Sequence, residues 1–148
     1  MIRVMMPRTI PRAAAAALAA VTLLQPVARA EQWAYAMQTG HGNHSIQVDV
    51  DSIAQQTGYV AARMLYEYYG SAPGARSALV DGAFDCKANR FQVLSRTEFA
   101  APEARGAAGE TTRSDLAAER WKAANADPET FAIIDWVCGV AAHKLASP

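Results

Sequence analysis

Apolar and polar residues alternate through much of residues 33 to 99, and this period of two predicts strands. Trp33, Tyr35 and Met37 share one face, and the stretch Thr39 to Asn43 supplies turn residues. In the next run Ile46, Val48 and Val50 oppose Ser45, Gln47 and Asp49, the pattern of a half-buried strand. Asp51 to Gly58 reads as a turn region, with Asp51 accepting from nearby backbone N–H groups. From Tyr59 to Tyr69 the residues Val60, Ala62, Met64, Tyr66 and Tyr68 lie opposite Arg63 and Glu67, and the aromatic and β-branched content favours strand. Ala, Met and Leu in that run leave helix open. Gly70 to Ser77 breaks the chain. Val80, Gly82, Phe84 and Cys86 then alternate with Asp81, Ala83 and Asp85, so Cys86 falls on the apolar side. After a polar turn at Lys87 to Arg90, Phe91, Val93 and Phe99 oppose Gln92, Arg96 and Glu98, completing a hairpin. Residues 100 to 113 have no period and read as a mobile loop.

The last third changes period. Residues 115 to 126 are rich in helix formers, and propensity alone predicts helix there. Asp127, Pro128 and Glu129 supply an N-cap, a proline at the first helical position and an acid in the first turn. Phe131, Ile134, Cys138, Ala141 and Leu145 recur at spacings of three and four, which predicts an amphipathic helix over 128 to 145 with Cys138 on its buried stripe. A sheet stapled to a C-terminal helix is the economical architecture.

The first thirty residues belong to a different class. Arg3, Arg8 and Arg12 flank the apolar stretch Ala13 to Leu24, and Ala28-Arg29-Ala30 forms a small-x-small cleavage site before Glu31, the pattern of a secretory signal peptide. Twelve residues fall short of the roughly twenty that a membrane-spanning helix needs. No cysteine lies near the expected cut, so lipid attachment there is not expected. Residues 31 to 148 then form a single domain in the periplasm or outside the cell. The leader holds four arginines and no acid, so ten Lys/Arg face fourteen Asp/Glu afterwards and the net charge becomes −4. That balance argues against nucleic acid and against a cationic membrane-surface protein, and no stable membrane insertion is expected.

Export also bears on the two cysteines. In an oxidising compartment a pair usually joins, and Cys86–Cys138 is expected as a disulfide. A catalytic thiolate would need a positioned base, with only His41, His44 and His143 available, and a zinc site would need more closely spaced ligands. His41 and His44 are read as solvated turn residues rather than metal ligands, and Asp49 and Asp51 as turn-capping carboxylates rather than a catalytic pair. A nucleophile elbow, a phosphate-cradling loop and a paired zinc motif are absent from the sequence. No catalytic, metal or cofactor residue is assigned, and the reading is non-enzymatic.

Trp33, the run VDVDSI (48–53), the aromatic strand after it, FDCKANRF (84–91), Trp121 and DWVCGV (135–140) together resemble the bacterial surface-adhesin protein E family across the chain after the leader. The resemblance implies an α+β fold: a single antiparallel sheet of about six strands packed on a C-terminal helix, with a disulfide fixing one to the other. It also implies a strand around Arg120 to Ala124, against propensity, and a function in binding host matrix or serum proteins such as laminin and vitronectin. Arg76, Lys87, Arg90 and Arg96 fall in the segment that overlaps the family's binding strands, interleaved with Asp81 and Asp85. A bacterial envelope protein is the alternative partner, with the chain acting as a periplasmic interaction or assembly module. Tyr59 and Tyr69 lie opposite Tyr66 and Tyr68, so the second sheet face is either a mixed, solvated surface or covered by loops, a partner or a second subunit; a homodimer, with Trp136 as a candidate contributor, is the preferred cover.

Overall fold

The structure, a computed structural model, describes residues 31–39, 43–70 and 74–146. The expected leader and His41 lie outside the described residues. Among the described residues there are eight strands: β1 (Trp33–Gln38), β2 (His44–Gln56), β3 (Tyr59–Tyr68), β4 (Ser77–Asp85), β5 (Arg90–Ala101), β6 (Arg105–Ala108), β7 (Thr112–Arg113) and β8 (Lys122–Ala123). One helix, α1 (Pro128–Ala146), closes the chain. The first six strands pair in sequence order as an antiparallel meander, while β7 and β8 each pair with β5. This is the expected single sheet and C-terminal helix.

One sheet face carries the core. Ile46, Val48, Val60, Met64, Val80, Phe84 and Phe91 pack there beneath Ile133, Ile134, Val137 and Ala141 of α1. Gly82 sits in the middle of that face, and a Cβ there would stand 2.6 Å from Phe91 and 2.9 Å from Met64, so only glycine fits without movement. Asp127 starts the helix as expected: its Oδ1 accepts from Thr130 N at 2.7 Å and its Oδ2 from Thr130 Oγ1 at 3.0 Å. Phe131, expected on the buried stripe, is 57% exposed, and Ile133 and Val137 take the inner positions instead. The helix lies with its inner line rotated about one residue from the one that the apolar spacing suggested.

Two irregularities explain where the strand pattern misleads. The segment expected as a turn from Asp51 is strand, and β2 continues to Gln56 across a register shift between Asp49 and Ala54. Asp49, not Asp51, serves the backbone there: its Oδ1 accepts from Gln32 N and Asp51 N, both at 3.1 Å. Ser52 Oγ donates to Asp49 O at 2.6 Å and accepts from Arg63 N at 2.8 Å, and Lys144 Nζ donates to Val50 O and Ile53 O at 3.0 and 3.1 Å. VDVDSI is therefore a bulge whose polar atoms are filled by its own side chains and by the end of α1, while Ile53 enters the core.

The second shift falls between Asp81 and Gly82, which pair with Ser95 and Val93 respectively and leave Leu94 as an extra residue in β5. One extra residue turns the rest of the strand over. Arg96 and Glu98 consequently oppose Val80 and Ala78 on the helix side, and Phe99 opposes Ser77 on the other, the reverse of the expected phase.

The expected loop over 100 to 113 is a correction too, because β5 extends to Ala101 and β6 and β7 follow. Residues 115 to 126 form two 3-10 turns and β8, as the family resemblance implied and propensity did not. Pairing decides this: Lys122 and Ala123 pair with Phe91 and Arg90, and the buried Gln92 amide donates to Asp115 O and accepts from Ala117 N. A continuous helix would forfeit those bonds and leave a buried amide unpaired.

The second face is polar and tied down by its own chain. Glu67 accepts from Glu103 N at 2.6 Å, Ser77 bonds Ala101 O and Ala104 N, and Arg63 and Ser95 both reach Asp81. Leu65 in its centre is 3% exposed. Trp136 packs against the core rather than standing clear of it.

Candidate binding surface

The helix face of the sheet has two chemically different ends. At the end where β4 turns into β5, Cys86 and Cys138 are joined, with Sγ–Sγ 2.04 Å and Cα–Cα 5.6 Å. Both expected site residues are thus brought together as a covalent link, one from the strand end and one from mid-helix. Arg90 lies close by, paired with Asp85 at 2.8 Å and stacked 4.8 Å from the Trp121 ring centre. Lys87 is exposed in the adjoining turn.

At the opposite end, beyond the first turn of α1, the side chains become aromatic and charged. His44 stacks on Tyr66 with ring centres 5.7 Å apart and lies 5.9 Å from Tyr68. Its Nε2 stands 3.1 Å from Glu129 Oε2, an ion-pair distance without hydrogen-bond alignment. The Arg96 guanidinium lies over Tyr66 and Tyr68 at 5.8 and 6.0 Å, donates to the Tyr68 hydroxyl and pairs with Glu98 at 3.1 Å. Burial opposes the Arg96 charge, but Tyr68 and Glu98 more than compensate and raise its pKa. Burial also raises the pKa of Tyr68 against the pull of Arg96, so the phenol stays protonated. Tyr66 is shifted up more strongly, chiefly by burial and then by Glu129.

Beside this cluster lies an open cleft of about 360 Å³, lined among the described residues by Tyr68, Tyr69, Ala75, Arg76, Arg96 and Glu98, with Gly70 and Gly74 at its margin. Both glycines have φ beyond +130°, a conformation that side chains disfavour. Arg76 makes no ion pair among the described residues, whereas Arg90 is paired and Arg63 is held by Asp81 at 2.8 Å. Of the four basic residues that the sequence singled out between 76 and 96, the fold brings only Arg76 and Arg96 to one cleft. Tyr68, Glu98 and Tyr69 at this site were not assigned from sequence. The consecutive apolar pair Val93–Leu94, which breaks the alternation, was the one local sign that β5 changes phase.

Among the described residues, the His44 ring bonds no serine or threonine hydroxyl, and Ser45 Oγ instead meets Tyr69 Oη at 2.7 Å. No group of three His, Cys, Asp or Glu residues there is placed to hold a metal ion. No helix among those residues is long and apolar enough to cross a membrane.

The described residues thus form a disulfide-stapled sheet-and-helix domain with an aromatic, cationic cleft at its unstapled end. The chain belongs to the surface-adhesin protein E family, whose pattern it matches over residues 33–139. Comparison with curated proteins and with solved structures gives no match.

Proposed function

We propose that residues 1–30 are removed on export and that residues 31–148 act as one non-enzymatic protein-binding domain, displayed at the bacterial surface and engaging host matrix or serum proteins. The family match over residues 33–139 carries this reading. Two features agree with it. Polar groups of the bulge, the helix cap and the second sheet face bond within the chain, whereas the cleft at the unstapled end holds Arg76, without an ion pair among the described residues, and the exposed Tyr69. Such groups, arginine and tyrosine, are those that interfaces favour.

Protease treatment of intact cells tests display, and binding to immobilised laminin and vitronectin tests the ligand class. Digestion on intact cells together with saturable binding is the expected result. A processed chain that begins near Glu31 yet stays fully protected would move the protein inside the envelope, with a bacterial protein as its partner. A chain that keeps residues 1–30 would overturn export by leader cleavage.

A further inference from the structure

We propose that the cleft between Tyr68, Arg76 and Arg96 is a site for a single carboxylate group, presented by an acidic side chain of a protein partner. It rests on the protein-binding reading above and names the chemistry of one contact within it.

The case starts from preorganisation. Arg96 is laid over two tyrosine rings and bonded to one of them, so its guanidinium fork is fixed before any ligand arrives. Tyr68 Oη accepts from Arg96, and its own O–H meets no acceptor among the described residues. The cleft therefore offers a neutral donor beside a cationic one, and the raised pKa of Tyr68 keeps that proton in place. Arg76 lines the same cleft without an ion pair among the described residues.

Charge decides the class of ligand. Two arginines face one acid, Glu98, whose side chain is 52% exposed and already accepts from Arg96. Arg76 has no ion pair among the described residues, and its charge acts on the Glu67 carboxyl of the other sheet face. A planar carboxylate meets a planar guanidinium through two parallel hydrogen bonds, so one carboxylate fits the donors of the cleft. A polyanion such as a sulfated glycan or nucleic acid draws its affinity from many cations, and two arginines on a domain of net charge −4 do not supply them. Tyr69, 53% exposed at the cleft, adds aromatic surface for an apolar neighbour of the acid.

NMR titration of the ¹⁵N-labelled processed chain tests this with two probes, acetyl-Phe-Glu-amide and its neutral counterpart acetyl-Phe-Gln-amide. The glutamate peptide is expected to give saturable shifts at Tyr68 and Arg76 and at Arg96 Nε. The glutamine peptide is expected to bind about tenfold more weakly, as expected from loss of one charge-assisted contact. Arg76→Glu abolishes the shifts and Arg76→Gln weakens them. Equal binding of the two peptides, shifts confined to other residues, or unchanged binding in both variants would overturn the proposal. Tighter binding of dextran sulfate at the same residues would overturn it in favour of a polyanion. The titration uses no natural partner, so it can fail while laminin or vitronectin binding succeeds, and it can succeed with a chain that never reaches the surface.

Discussion

The two ends of the helix-facing sheet surface are built from the same four strands yet solve opposite problems. At one end Phe84 and Phe91 stand 4.8 Å apart under α1, and the Cys86–Cys138 bond ties strand to helix. At the other, the first turn of α1 reaches His44 through Glu129, and His44, Tyr66, Tyr68 and Arg96 stack on one another. Apolar packing and a covalent link need no solvent-facing partner; stacked aromatics with a cation keep polar atoms at the surface. A domain of this size has a limited core, so concentrating stability at one end leaves the other able to carry groups that bind.

Removing the staple tests that division most severely. Cys138→Ser opens a loop spanning a sequence separation of 52 residues, and chain entropy puts the loss at about 4 kcal/mol. Chemical denaturation of the oxidised protein and of the variant measures it. A loss below about 1 kcal/mol would mean that packing, not the disulfide, holds α1 down. Next in size is a pair of helix truncations. Ile134 is 2% exposed and Phe131 is 57% exposed. Ile134→Ala is expected to cost about 2–4 kcal/mol and Phe131→Ala within about 0.5 kcal/mol. Equal losses would restore Phe131 to the buried stripe, where its spacing alone puts it.

That pair also shows what the sequence made legible. The alternating parts of β1 to β5 and the helix followed from period and from the Asp127-Pro128 start, because both are local properties, whereas the strand residues within 51–56 and 100–113 did not. Cys86 and Cys138 were legible as a pair because the leader-like pattern of residues 1–30 pointed to an oxidising compartment, where two cysteines usually join. The cleft was not. It depends on Leu94, one extra residue, which carries Arg96 and Glu98 from the second face to the first. A bulge of that kind is fixed by pairing with β4, and alternation counted along a single strand does not contain it. The same limit applies to residues 115–126, where good helix formers are outweighed by bonds to Gln92 and β5.

The helix cap lies between the two ends, and its effect is smaller. Asp127 is held by Lys122 at 2.7 Å and by the Thr130 backbone, which lowers its pKa from 3.8 to about 2. A carboxyl whose folded pKa is depressed contributes stability above its unfolded value and loses it as pH falls. The contribution is therefore nearly full above about pH 4, falls steadily towards pH 2 and is lost as pH drops below it. Asp127→Ala should cost about 1 kcal/mol at neutral pH. Thermal melts of the variant and the parent should converge as pH is lowered through that window. A gap that persists undiminished at pH 2 would mean that the carboxylate's charge contributes little to the cap.

Arg76→Glu is the smallest expected change in stability and the sharpest test of the comparison. Arg76 is exposed and has no ion pair among the described residues, so the substitution should leave the denaturation midpoint within about 0.5 kcal/mol of the parent. Its charge reversal nevertheless places two acids in the cleft opposite Arg96. If the unstapled end is reserved for binding, the variant folds like the parent and fails to take up the glutamate peptide. If instead Arg76 holds that end of the sheet together, stability falls by more than about 1 kcal/mol with or without ligand. Pairing the denaturation curve with the titration separates these outcomes, because a structural role moves both measurements and a recognition role moves only the second.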